Sequence, residues 1–186
     1  MEKIIWTARS VALISLFSTF FFLSCKKEPL TPLDTELDFK LRVLNNKRQE
    51  VDIFKEGENF WLSFLIINKS SKTWFLDPES IDKNDKFLRV FNEAGTNMGK
   101  PYNGFFTCLL LPKLAIKSND TTKIEIMWHN TPNAFFVGYF CATDTTNKIL
   151  SKGNYKTSFT NNFKFFRGDD KDYSKELYFE KQFQIQ

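Results

Sequence analysis

The chain has 186 residues, 26 Lys and Arg against 22 Asp and Glu for a formal charge of +4, one histidine and three cysteines. Both signs of charge are interspersed, with no basic block and no basic–aromatic stripe, which argues against nucleic acid as a partner. One histidine and three scattered cysteines are too few for a His/Cys metal site. Phenylalanine is the compositional outlier, 22 copies against three methionines, and aromatic side chains favour pleated, half-buried surfaces. The composition therefore leans toward β-structure with a phenylalanine-rich core.

Lys3 and Arg9 give the N-terminus a short positive region, and Val11 to Leu23 is an uncharged, mostly apolar run of 13 residues. The run ends in Phe22-Leu23-Ser24-Cys25, and charge begins at once with Lys26-Lys27-Glu28. A positive start, a short apolar run and a small residue before the cut form a secretory signal. A transmembrane helix needs about 20 apolar residues, which this segment reaches only by burying Arg9. With its cysteine directly after Ser24, the segment resembles bacterial lipoprotein signals, although Phe22 stands where that family usually has Leu. The resemblance implies cleavage before Cys25, a diacylglyceryl group on its sulfur, and a place in the cell envelope, tethered to a bacterial membrane (the outer membrane first) by lipid. Two or more acyl chains hold a protein stably at a bilayer without a spanning helix. Residues 1–24 are then the signal. Residues 25–35, with Pro29 and Pro32 and no apolar periodicity, read as an extended spacer of up to about 30 Å.

The remaining 36–186 suit one domain. In "ELDFKLRV", Leu37, Phe39, Leu41 and Val43 alternate with Asp38, Lys40 and Arg42, which predicts a half-buried strand. "NFWLSFLIIN" is apolar on both faces and predicts a central strand. "TWFLD" is a short strand stopped by Pro78, and Phe87 to Asn92 a strand running into a turn at Glu93 to Gly95. "FFTCLLL" and "AFFVGYFCA" read as apolar strands. "TTKIEIMW" directs Ile124, Ile126 and Trp128 inward. In the last two strands Tyr155, Phe159, Phe163 and Phe165 share one face, as do Leu177, Phe179, Phe183 and Ile185, opposite Glu176, Glu180, Gln182 and Gln184. About eight or nine strands without an amphipathic helix predict an all-β, antiparallel, immunoglobulin-like sandwich. The order "FKEGENFWLSFLIINKSS", "FLRVFNEAGTNMG", "LAIKSNDTTKIEIMW" and "SKGNYKTSF" loosely resembles the BsuPI-like intracellular proteinase inhibitors. The resemblance implies an immunoglobulin-like sandwich over Phe54 to Phe166. No inhibitory loop matches residue by residue. Tyr155, after Gly153 at a strand start, is placed as a corner tyrosine.

Chemistry-bearing residues are sparse. Cys108 and Cys141 form a candidate disulfide in an oxidising compartment, with two buried free thiols as the other reading. His129 follows the inward Trp128 and is expected on the solvent side. A His129–Cys108 nucleophilic pair is disfavoured, because an apolar run opposes a thiolate. The "DPESIDKND" loop offers Asp77, Glu79, Asp82 and Asp85 to a calcium ion, but Lys83 and Lys86 dilute its charge, and a solvated loop is the simpler reading. The acidic clusters Asp34 to Asp38 and Asp169 to Asp172 are expected to be solvated as well. No cofactor is implied. Sandwiches carry binding residues on end loops, and "NEAGTNMGKPYNG" is the richest, offering Asn97, Lys100, Tyr102 and Asn103 to a sugar or peptide. The sequence thus reads as an envelope-tethered binding module for an envelope protein or glycan. An inhibitor of a protease or other hydrolase, or a hydrolase using paired carboxylates, stand as alternatives.

Overall fold

The computed structural model describes residues 32–82, 84–101, 113–130, 148–167 and 171–186. Cys25, Tyr102, Asn103, Cys108, Cys141 and the strands expected around the last two lie outside the described residues. The described chain is an all-β sandwich of two sheets.

The first sheet has the order β1 (Leu37–Leu44), β3 (Phe60–Asn68), β8 (Thr121–Trp128), all antiparallel. Leu41 lies opposite Phe64, and Phe64 opposite Ile124. The central strand is apolar on both faces for a physical reason. Phe60, Leu62, Phe64 and Ile66 enter the core, while Ser63 and Leu65 on the other face are buried as well.

The second sheet is built on a long ribbon of β9 (Gly153–Arg167) and β10 (Lys171–Ile185), with Phe159 opposite Phe179. The sheet order is β2 (Ile53–Phe54), β10, β9, β4 (Trp74–Leu76), β7 (Leu114–Ile116). The free edge of β9 is shared between two short partners. β5 (Val90–Asn92), itself paired with β6 (Asn97–Gly99), lies against Tyr155 to Thr157, and β4 lies against Phe165 to Arg167. Among the described strands only the β2–β10 pair is parallel. The three strands not anticipated, β2, β6 and β7, have two or three residues each, too short to carry a period.

The two inner faces meet in a layer of aromatic rings. Phe64 stacks on Phe163 at 5.3 Å and meets Phe179 edge-on at 5.0 Å, with Phe87 and Phe159 beside it. At the other end Phe60 stacks on Trp128 and packs on Phe54 and Phe183. Among the described residues the phenylalanines are thus largely core. Tyr155 donates its hydroxyl to the Ser151 carbonyl at 2.8 Å, the backward bond of a corner tyrosine.

Two expectations are corrected. The strand predicted from Phe87 begins only at Val90; Phe87 and Leu88 are consecutive, both wholly buried, and occupy a turn. Leu88 holds φ at 55°, a conformation a branched side chain adopts only when burial compensates. The second correction concerns the spacer, whose last residues belong to the domain. α1 (Pro32–Glu36) is a helical turn with Pro32 at its first position and Leu33 1% exposed, where proline's fixed φ suits a helix start. Asp34 pairs with Lys175. Glu36 accepts bonds from Trp74 Nε1 at 3.1 Å and Arg167 at 2.7 Å, and Asp38 pairs with Lys69 at 2.9 Å. The acidic cluster expected to be solvated instead fastens the start of the domain.

Candidate binding face

Strict alternation decides which side chains leave the core. Phe159, Phe163 and Phe165 on β9 and Phe179 and Phe183 on β10 point inward, so the residues between them form the outer face of the ribbon. That face carries Asn154, Lys156, Ser158, Thr160, Asn162 and Lys164 from β9. From β10 it carries Ser174, Glu176, Tyr178, Glu180, Gln182 and Gln184. One large aromatic stands among them: Tyr178 is 63% exposed, opposite Thr160.

Tyr178 is held in place. Its hydroxyl donates to Glu180 Oε2 at 2.6 Å, Lys156 Nζ donates to the same oxygen at 2.9 Å, and Gln182 donates to Oε1 at 3.1 Å. The Tyr178 hydroxyl, then Lys156 and Gln182, hold the Glu180 carboxyl down to about 2, and Glu180 in turn raises the pKa of Lys156 and of Tyr178. A depressed carboxyl contributes stability above its ordinary range near 4.5 and loses it as pH falls toward 2. The group is exposed, so solvent screening keeps its effect on global stability small, and direct titration is the sensitive readout. In a carbon-detected NMR titration, Glu180 should remain ionised below pH 4 in wild type. In a Lys156→Met, Tyr178→Phe double variant it should return toward an ordinary glutamate. Identical curves would show that these contacts do not form.

Two open clefts flank Tyr178 along the ribbon. The first, of 720 Å³, lies toward the Arg167 end of β9 and is lined by Asp77, Glu79, Ser80, Asn84, Thr160, Asn161, Asn162, Lys164 and Ser174. It forms where β9 passes between its two short partners. There the loop carrying α2 (Glu79–Asp82) meets the strand edge, Asp77 N donating to the Lys164 carbonyl and Asn84 Nδ2 to the Thr160 carbonyl, both at 2.9 Å. The second, of 680 Å³, lies at the Gly153 end between Asp52, Ile53, Asn92, Glu93, Asn154, Tyr155, Lys156, Gln182, Phe183 and Gln184.

The loop site read from the sequence is only partly placed. Asn97 is exposed in β6, but its side-chain oxygen accepts the Gly99 N–H at 2.8 Å and shapes its own turn. Lys100 is half-buried just beyond that strand. Asn92 and Glu93, the first two residues of the same loop, reach the second cleft. His129 is half-buried rather than freely solvated, and that burial lowers its pKa. In the "DPESIDKND" loop, Asp77 caps α2 through the Glu79 N–H at 3.0 Å and Asp85 pairs with Arg89 at 3.5 Å. Among the described residues no three His, Cys, Asp or Glu side chains converge on one point, and no helix is long and apolar enough to cross a membrane.

Several of the described carboxylates are tied to cations. Lys181 bridges Glu50 at 3.6 Å and Asp52 at 2.7 Å, and Glu125 is paired with Arg42 and Arg48. Asp38 and Glu180 are both shifted down by hydrogen bonds to their charged forms, Asp38 first by Lys69. Burial raises Glu50, but Lys40 and Lys181 outweigh it and the net shift is again downward.

No protein-family model and no curated protein matches the chain. Among solved structures it is similar to Northeast Structural Genomics Consortium target SoR45, with 12% identity and a TM-score of 0.34, over 80% of this chain and 87% of that one. It is also similar to a family 123 glycoside hydrolase from Clostridium perfringens, with 11% identity and a TM-score of 0.32, over 81% of this chain and 27% of that one.

Proposed function

We propose that the chain is an envelope lipoprotein whose sandwich is a tethered binding module, with the outer face of the β9–β10 ribbon as its binding surface. The observation that carries this reading is Tyr178, a large exposed ring held by Glu180 between two open clefts. The strands beneath it are paired with each other along their full length, so the face is presented by a rigid element, as a binding constellation requires. Binding also fits Asp38, Glu50 and Glu180 better than acid–base catalysis does. A general acid at neutral pH needs its pKa raised by burial, whereas Asp38, Glu50 and Glu180 move the other way.

Two measurements test the proposal. Mass spectrometry of the membrane fraction should find diacylglyceryl-modified Cys25 as the N-terminal residue, and Cys25→Ser should leave the membrane. A Cys25→Ser chain that stays equally membrane-bound would remove the tether. Hydrogen exchange in the presence of solubilised envelope fractions should slow along 154–164 and 174–184, and unchanged exchange with every fraction would remove the module.

A further inference from the structure

Resting on that binding-module reading, we infer that the β9–β10 face takes a neutral oligosaccharide, laid along the strands across Tyr178 from one cleft to the other. Three observations point to this class of ligand.

The first is the chemistry of the lining. Thr160, Asn162 and Ser174 are exposed beside the first cleft, and Asn154, Gln182 and Gln184 line the second. Hydroxyls and amides both donate and accept, which is what a chain of sugar hydroxyls asks of its site. The second is charge. Each cleft has two carboxylates and one ammonium, Asp77, Glu79 and Lys164 in one and Asp52, Glu93 and Lys156 in the other. Lys156 is already committed to Glu180 at 2.9 Å. A face with this balance repels sulfated, phosphorylated or uronate polymers and leaves a neutral one at no disadvantage.

The third observation is the ring. Tyr178 spends its hydroxyl on Glu180 at 2.6 Å and offers its apolar face to solvent. A pyranose ring has an apolar C–H face of matching size, and a pre-held aromatic loses little conformational freedom on contact. The span also fits. Asn154 to Asn162 covers eight steps of strand, roughly 27 Å, long enough for an oligomer and far longer than one sugar.

The test uses the full lipidated chain in detergent micelles, titrated calorimetrically with hexasaccharides of glucose (α- and β-linked), mannose and N-acetylglucosamine. A heparin hexasaccharide, a galacturonate hexamer and a mixed decapeptide pool serve as competitors of other classes. At least one neutral hexamer should bind. Tyr178→Ala should weaken it fivefold or more, and Asn162→Ala with Ser174→Ala should weaken it without moving the melting temperature. Binding of no neutral hexamer, tighter binding of either anionic one, or indifference to Tyr178→Ala overturns the assignment. If the decapeptides bind and protect 154–164 while the sugars do not, the ligand class falls and the module stands. The module falls only with the envelope-fraction result described above.

Discussion

Phe64→Ala should cost about 3–5 kcal/mol of unfolding free energy, the range for removing a buried phenylalanine. Phe64 is wholly buried at the middle of the central strand of the first sheet, and its ring reaches across to the second. It contacts Phe163 at 5.3 Å, Phe179 at 5.0 Å, Phe87 at 5.7 Å and Phe159 at 5.9 Å. Three of those four partners sit on the ribbon whose far side is the candidate binding face. The rings around the site interlock, so the cavity cannot close by moving one neighbour, and the cost should lie toward the upper end. For a chain of this size such a loss lowers the melting temperature by roughly 6–20 °C. Urea titration should show a lower midpoint with an unchanged slope, the mark of lost stability rather than altered compactness. Tyr178→Ala, only a strand face away on the solvent side, should stay within about 0.5 kcal/mol of wild type. A Phe64→Ala loss below about 1 kcal/mol would mean the two sheets are not held together through this ring.

The contrast between Phe64 and Tyr178 also shows what the amino-acid sequence made legible. Period-two alternation locates a residue whenever one face of a strand is buried, so β1, β8, β9 and β10 were readable along most of their lengths. The same alternation carries Tyr178: in "KELYFEKQ", Leu177 and Phe179 face inward, which leaves the ring between them facing out. The signal is present in the sequence, beside the polar end loop around Asn97 that is richer in amides. What could not be read were the walls of the two clefts. Asp77, Ser80 and Asn84 reach the first cleft, and Asp52, Ile53 and Glu93 the second, from segments more than 50 residues before β9. Only sheet order brings them there, and periodicity carries no information about order. The buried pair Phe87 and Leu88 misled for the opposite reason, since two adjacent inward residues satisfy neither strand nor helix spacing. Pro32 and Leu33 read as spacer because a single helical turn is shorter than any period.

Asn68→Ala should cost roughly 2–4 kcal/mol, because a single amide closes the pole of the domain at which α1 enters, and each buried group left unpaired costs about 1–3 kcal/mol. Asn68 ends β3 at 1% exposure. Its Nδ2 donates to the carbonyls of Lys72 at 2.7 Å, Lys117 at 2.9 Å and Ile116 at 3.0 Å. Its Oδ1 accepts from Ser70 N at 2.9 Å and Ser70 Oγ at 2.8 Å. One side chain therefore shapes the β3–β4 turn and ties it to the end of β7. The next residue extends the tie to the start of the domain, Lys69 N donating to the Glu36 carbonyl at 2.7 Å, while Asn119 N donates to Ser70 O at 3.1 Å. Alanine removes both halves of the network. Aspartate keeps the acceptor for Ser70 but sets a charge against three carbonyls, so Asn68→Asp should be at least as destabilising despite its matching volume. Hydrogen exchange locates the damage: the Lys69, Ser70 and Asn119 amides should lose protection in Asn68→Ala, while those of the β9–β10 ribbon keep theirs relative to global unfolding. For a tethered module the consequence is specific. The attachment of α1 loosens while the outer face of the ribbon is preserved, so hexasaccharide affinity should persist in the folded fraction. A variant that keeps Ser70 protected and loses less than about 1 kcal/mol would show that the turn and α1 hold without this amide.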